Sequence, residues 1–147
     1  MNRLVLKNKK AQHNYEIIET YIAGIELKGV EVVALRNKKL SFSDSFISVN
    51  NEVFWKNAHI SLSNQSDFEK VSENRNRKLL LHKKEILKIK NAINIKGYTV
   101  IPLELILSNN KFKLKIGVAK GLKKYDKRLK EKEKTLNMEI KRSFKSL

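Results

Sequence analysis

From Lys111 to Val118 the chain alternates: Phe112, Leu114, Ile116 and Val118 are apolar, and Lys111, Lys113 and Lys115 stand between them. A period of two is satisfied by a β-strand with one buried face, whereas a helix would spread both residue types around its circumference. The apolar side therefore needs a sheet and a core, and the other side presents a row of lysines. A partner strand lies just upstream in Tyr98 to Leu107, where Pro102 implies an edge or a bulge. Asn109-Asn110 between the two strands is a turn.

Further strands are expected ahead of this pair. Tyr15 to Ile22 is rich in β-branched and aromatic residues, and Ala23-Gly24 suggests a bulge or bend after it. Phe46 to Val49 and Glu52 to Trp55 read as a hairpin, with Asn50-Asn51 tolerating the positive φ of a tight turn. The spacing of Val30, Val33 and Ala34 predicts a short helix between Leu27 and Lys39, its basic end suited to the C-terminal dipole. Ser61 to Asn76 is polar and aperiodic, a loop. A second helix is expected from Leu79 through Lys90, with Leu81, Ile86 and Ile89 buried and Gly97 ending the element. The fold class that fits is mainly β with helices (α+β): a small OB-type antiparallel β-barrel, closed or partly open, with two or three helices. Closure removes exposed strand edges.

Charge bounds the partner. Of 147 residues, 32 are Lys or Arg and 15 are Asp or Glu, a net charge of +17. A chain this basic suits a polyanion: nucleic acid, an anionic membrane surface or an acidic protein. An A/T-rich genome is a competing source of Lys, Asn and Ile. The absence of cysteine excludes disulfides, zinc ribbons and thiol catalysis. Residues Met1 to Lys10 carry no apolar segment of a secretory signal, and no apolar run approaches the roughly 20 residues of a spanning helix. No membrane contact and a cytoplasmic location are the expectation.

Three zones follow: a basic lead from Met1 to Gln12, a body to Lys120, and a tail from Gly121 to Leu147. From Lys120 onward eleven basic residues face four acidic ones, a net charge of +7. Leu129, Leu136, Ile140, Phe144 and Leu147 recur there at helical spacing. A helix with so thin a stripe is marginal alone, and neutralisation by RNA would favour it.

Five stretches, in order and over nearly the whole chain, resemble the SsrA-binding protein (SmpB) family. Asn8-Lys9-Lys10-Ala11-Gln12-His13-Asn14-Tyr15 is similar to the family's opening motif, and Ala23-Gly24-Ile25-Glu26-Leu27-Lys28-Gly29-Val30-Glu31-Val32 to its second. Arg75-Asn76-Arg77-Lys78-Leu79-Leu80-Leu81-His82-Lys83-Lys84-Glu85-Ile86 and Gly97-Tyr98-Thr99-Val100-Ile101-Pro102-Leu103 follow. Lys113 to Gly121 then leads into Tyr125-Asp126-Lys127-Arg128. Asn14, Ile22, Val33 and Leu122 depart from the pattern, and Ile22 stands where the family usually has an acidic residue associated with RNA binding.

The resemblance implies an OB-type barrel over residues 1–120, basic lead included, that grips the tRNA-like domain of transfer-messenger RNA. It implies a tail over 121–147 that is disordered when free and helical on the ribosome. That tail would occupy the 16S rRNA decoding centre and the vacant mRNA channel during trans-translation, the rescue of stalled ribosomes with tagging of the nascent chain. Elongation factor Tu in the delivery complex and a monomeric state are the further expectations.

Candidate RNA contacts are Asn8, Lys9, Lys10, His13 and Tyr15, a basic cluster with an aromatic ring suited to stacking. The bland alternative is a frayed lead and a structural strand residue. Gly24 and Gly29 allow close backbone approach. Glu31 accepts from base amino groups or orients a lysine, or else makes a helix-surface salt bridge. Arg75, Arg77 and Lys78 are phosphate ligands in a polar loop, or simply solvated. Leu80 is more often core, although the resemblance gives it a surface role. Lys113 and Lys115 share a strand face. The tail contributes Lys120, Gly121, Lys123, Lys124, Tyr125, Asp126, Lys127 and Arg128 as ribosome contacts, the bland alternative being a solvated tail.

Catalysis finds no support. His59 reads as structural and His82 as plain surface or structural, and no histidine has a metal-ligand partner at useful spacing. Phosphate loops and nucleophile elbows are absent from the sequence. Neither a cofactor nor a metal is expected. The rival reading is a ribosomal or general rRNA-binding protein, and the feature against it is the Tyr125-Asp126-Lys127-Arg128 block ahead of an amphipathic tail. A membrane-surface anchor is disfavoured because the tail stripe is narrow and lacks Trp.

Overall fold

Residues 2–62, 71–121 and 135–136 are described by the computed structural model. Their elements run β1 (Asn2–Lys7), α1 (Lys9–Asn14), β2 (Tyr15–Ile25), α2 (Gly29–Arg36), β3 (Leu40–Ser41), β4 (Phe46–Val49) and β5 (Val53–Lys56). Next come β6 (His59–Ile60), β7 (Arg77–Leu80), α3 (Lys83–Lys96), β8 (Thr99–Ser108) and β9 (Lys111–Gly121). The main sheet has the order β1-β8-β9-β2-β7-β5-β4, antiparallel throughout, and β3 pairs with β6 alone.

The alternating stretch lies inside this sheet, between β8 and β2. Asn109 and Asn110 both have left-handed backbone, with φ of 51° and 62°. Two such residues make the turn whose twist matches a β-hairpin, and Ser108 pairs with Lys111 across it. One face of β9 is then buried as the alternation requires. Leu114, Ile116 and Val118 pack with Val53, Trp55, Leu79 and Val100, and α3 covers them with Ile89. Phe112 joins Leu105 and Ile60 beneath Ala34 and Leu35 of α2. Gly97 ends α3 in the left-handed conformation, with φ of 68°, as a C-cap glycine does.

A third, smaller cluster forms on the opposite face of the sheet. There Ala11 of α1 packs on Ile101, Leu103 and Ala119, with Tyr15 and Ile17 at its border. Gly117 is required at this crossing. A Cβ on it would lie 2.8 Å from Leu103 Cδ1 and 3.3 Å from Ile17 Cγ2.

The β-rich α+β class and its antiparallel sheet agree with the OB-like expectation, but the sheet does not close into a barrel. The ladder ends at β1 and β4, and β4 comes close to β8 without pairing to it. Bulges in β1, β2 and β8 bend the strands, the effect an extra residue has on a ladder.

Several local expectations are corrected. The lead is not frayed: β1 pairs with β8, and α1 follows it. The β2 strand runs straight through Ala23-Gly24, and its bulge lies between Ile17 and Glu19. Asn50-Asn51 is not a two-residue turn. Val49 pairs with Val53, leaving a three-residue connection, and neither asparagine is left-handed. The Leu79-to-Lys90 helix begins only at Lys83. Arg77–Leu80 is a strand because it fills the ladder between β2 and β5. Pro102, by contrast, does sit at a bulge, one of the two places expected for it, inside the sheet.

Replacing Gly117 with Ala overpacks the α1 side of the sheet, because Leu103 is itself buried. We expect a loss of about 1–3 kcal/mol, read as a lower urea midpoint with an unchanged m-value.

Candidate functional site

Residues directly opposite in an antiparallel ladder point to the same face. Gly24 stands opposite both Lys113 and Leu80, and Ile22 opposite Lys115. Lys78 lies two residues before Leu80 and shares its side. These residues therefore occupy the outer face of the sheet, away from the main core. The bulge at Ile18 then changes the phase of β2, so that Ile17 pairs with Ala119 and Tyr15 with Gly121. Without that extra residue Tyr15 would point to the other side. One continuous face, about 26 Å from Lys113 to Gly121 at ~3.3 Å per residue, thus carries most of the candidate contacts.

At one end of this face α1 forms a knob. Asn8 fixes its base: its backbone N–H donates to the Leu103 carbonyl and its Nδ2 to the Pro102 carbonyl, each at 2.8 Å. Both acceptors lie at the bulge of β8, where the ladder leaves carbonyls to be satisfied. Asn8 is an anchor here, and Lys9, Lys10 and His13 project from the knob, exposed. Tyr15 borders Gly121, and both Gly121 and Lys120 are exposed where the tail begins.

At the other end lies an open groove of about 350 Å³, lined by Ile22, Gly24, Leu80, Leu81, His82, Glu85 and Lys113. Ile22 and Leu80 are 44% and 49% exposed, large apolar side chains left uncovered beside lysines. Gly24 allows Leu80 to lie across the strand, since a Cβ there would be 3.2 Å from Leu80 Cβ. Lys113 and Lys115 are half-buried, with Lys115 Nζ 3.9 Å from Glu104. Lys78 reaches Glu52 at 3.3 Å.

Glu31 and Arg77 depart from the sequence reading. Both are completely buried, so neither meets an outside partner directly. The Glu31 carboxylate accepts from Arg77 Nε and Arg75 Nη2, each at 2.6 Å, and from the Lys28 backbone N–H at 2.8 Å. Arg77 also donates to the Ala58 and Glu73 carbonyls at 2.8 and 3.0 Å. The physical reason is strand geometry: Arg77 shares the inward side of β7 with Leu79, while Lys78 and Leu80 face out. Period-two alternation over Arg75, Arg77 and Leu79 was the signal in the sequence. Arg75 is partly exposed and donates to the Glu26 carbonyl at 3.1 Å.

Burial works against the charge on Glu31, but hydrogen bonds from Arg75, the Lys28 backbone and Arg77 outweigh it and hold the carboxyl below its ordinary value. Burial also pulls the Arg77 guanidinium down, and the Glu31 charge opposes this. Arginine starts so high that it stays protonated. Tyr21, on the core side of β2, is pushed up to about 12 by burial, its hydrogen bond to Glu19 and the charges of Glu19 and Glu85, so it remains a neutral phenol.

The remaining candidates are less tightly placed. Gly29 opens α2 with free space around it, and nothing there requires glycine. His59 holds Asn74 Oδ1 at 2.8 Å, and His82, read from the sequence as plain surface or structural, lines the groove. Lys123, Lys124, Tyr125, Asp126, Lys127 and Arg128 lie outside the described residues. Among the described residues no three His, Asp or Glu side chains gather as a metal site, and no helix is long and apolar enough to cross a membrane.

Fold and surface together define a small, β-rich α+β protein that carries a basic, partly apolar sheet face. The chain belongs to the SmpB protein family, whose sequence profile matches residues 5–146. An SsrA-binding protein of Aquifex aeolicus is 46% identical over 143 residues, covering 96% of this chain and 91% of the relative. One from Geobacillus thermodenitrificans is 44% identical over 144 residues, covering 97% and 93%. Among solved structures, a chain described under "tmRNA-SmpB: a journey to the center of the bacterial ribosome" superposes with a TM-score of 0.67 at 37% identity. That match covers 86% of this chain and 93% of the other.

Glu31→Ala leaves Arg77 buried without its counter-ion, and a loss of about 3–5 kcal/mol is expected in urea unfolding. The lowered carboxyl makes a second prediction. Its stabilisation is present above the ordinary carboxylate range and is lost as pH falls through the folded-state value. Unfolding profiles from pH 7 to 3 should show an acid-side decline that is shallower in Glu31→Gln.

Proposed function

We propose that this chain binds the tRNA-like domain of transfer-messenger RNA and delivers it to stalled ribosomes for trans-translation. The observation that carries the reading is the outer sheet face, where the Ile18 bulge aligns the Lys9, Lys10, His13 and Tyr15 knob with the Gly24, Leu80, Lys113 and Lys115 end. Family membership and the likeness to the tmRNA-SmpB chain support it.

In this reading the body is a binding module and not a catalyst. Lys9, Lys10, Lys78, Lys113 and Lys115 neutralise phosphates, and Tyr15 offers a ring to an unpaired base. Arg75 meets a phosphate from a guanidinium already oriented by Glu31. Asn8, Glu31 and Arg77 act through the residues they hold in place. The tail begins at Gly121, beside Tyr15, so RNA on the outer face and the root of the tail share one end of the molecule. Residues 121–147 then enter the decoding centre and the vacant mRNA channel, with Lys120, Gly121, Lys123, Lys124, Tyr125, Asp126, Lys127 and Arg128 against 16S rRNA. The tail folds as a helix there, its charge neutralised. The protein acts as a cytoplasmic monomer, with elongation factor Tu in the delivery complex.

Two measurements test this. Removing residues 121–147 should leave binding to the tRNA-like RNA mostly intact and abolish tagging on stalled ribosomes in a reconstituted system. Equal loss of both activities would remove the division of labour. Lys113→Ala should weaken RNA binding and flatten the dependence of log K on log salt by about one unit. An unchanged slope would take Lys113 out of the interface.

A further inference from the structure

We infer that the solvent-facing side of α3, from Leu87 to Ile95, and the groove beside it at the β4–β5 connection dock a second protein through an acidic amphipathic helix. This surface lies on the opposite side of the molecule from the outer sheet face. A protein partner there and RNA on the sheet are therefore held at the same time.

The helix α3 carries more apolar residues than the core uses. Ile86, Ile89, Ala92 and Ile93 face inward and pack against the sheet. Leu87 and Ile95 point the other way, 60% and 77% exposed, the two most exposed large apolar side chains among the described residues. Residues four apart on a helix stack on one line, so Leu87, Asn91 and Ile95 form a stripe about 12 Å long. A stripe at this spacing, turned away from the core, is what a second helix packs against. Alongside it runs a groove of about 400 Å³ between α3 and the β4–β5 connection, lined by Val49, Asn50, Asn51, Lys90, Ile93 and Asn94. Asn94 lies three residues from Asn91 and seven from Leu87, so stripe and groove are continuous. Val49 and Ile93 are half-buried in the groove, and the asparagines are exposed. Apolar contact with amide and ammonium donors around it suits a carboxylate on a short aliphatic stem.

Charge selects the occupant. From Leu87 to Lys96 stand three lysines and no acidic residue. Neither Lys88 nor Lys90 has an ion pair among the described residues. A second copy of this chain would bring the same positive charge to the stripe, and residues 121–147 are net basic as well, so both are repelled. RNA would neutralise the lysines but leave Leu87 and Ile95 without use. Bases stack on aromatic rings or arginine, and α3 has neither. A bilayer gains little from two aliphatic side chains on a helix whose other face is held in the core. A helix with an apolar line flanked by glutamates meets every feature at once. Its apolar side covers the stripe, and its carboxylates reach Lys88, Lys90 and the groove.

The probe is a fluorescein-labelled helical peptide with leucines along one side and glutamates on both flanks, titrated with the full-length protein. Nitrogen-15 NMR should place its shift changes at Leu87 to Lys96 and Val49 to Asn51. The double variant Leu87→Ser/Ile95→Ser keeps the charge and removes the stripe. It should bind the peptide about tenfold more weakly, while its affinity for the tRNA-like RNA fragment stays that of wild type. Lys88→Gln/Lys90→Gln should also weaken peptide binding and flatten its salt dependence. Circular dichroism reports whether each variant is folded. Saturating the protein with the RNA fragment should leave peptide affinity unchanged. A peptide that does not bind, binds the Leu87→Ser/Ile95→Ser variant as it binds wild type, or shifts lysines all over the surface overturns the inference. So does a double variant that loses RNA affinity, which would give this face to RNA. Wild-type dimers in sedimentation that dissociate in the variant would give it to a second copy. Binding to phosphatidylserine vesicles that the variant loses would give it to a membrane. The RNA-binding reading is judged separately, by whether the wild-type protein binds the fragment.

Discussion

A single buried carboxylate ties together the parts of this molecule that the sheet does not. Glu31 lies in the first turn of α2, and through its two oxygens it holds the backbone before that helix, Arg75 ahead of β7, and Arg77 within β7. Arg77 carries the linkage on to the backbone at Ala58 and Glu73. Taking ions out of water costs several kcal/mol each, so the cluster stands only because nearly every polar atom has a partner. In return it fixes the position of a four-residue strand that is too short to place itself. The Leu80 side of the outer face depends on that strand.

The outer face is itself a consequence of ladder arithmetic. Strands present alternate residues, and two groups eight positions apart along β9 can share a surface only if their partners keep phase. The bulge in β2 corrects the phase, and the bulge in β8 supplies the carbonyls on which Asn8 fastens α1. Irregular pairing here shapes the outer face as much as the regular pairing does.

How much of this could be read in advance varied with the kind of signal. Strict alternation identified β9 and its buried face, and a Gly after a lysine-rich helix marked the end of α3. The charge and the five family-like stretches pointed to RNA. Other features depend on contacts distant in sequence. Leu79-Leu80-Leu81 has the composition of a helix start, and only the open place between β2 and β5 makes it a strand. Glu31 and Arg77 are 46 residues apart, so their pairing was invisible, and each was read as a surface group. The strand in the basic lead went unread because β1 takes its order from β8, about a hundred residues away. Past Gly121 the apolar stripe was thin, and all but 135–136 of the tail lies outside the described residues.

The turn at Asn109 and Asn110 has one more implication. Two left-handed residues between Ser108 and Lys111 set which side of β9 points outward. Adding or deleting one residue at that spot would swap the lysine row with the apolar row, sending charge inward and oil outward together. Length there is consequently frozen in a way that side-chain identity on the surface is not. The exposed row answers to whatever it touches, whereas the length of the turn answers to the core.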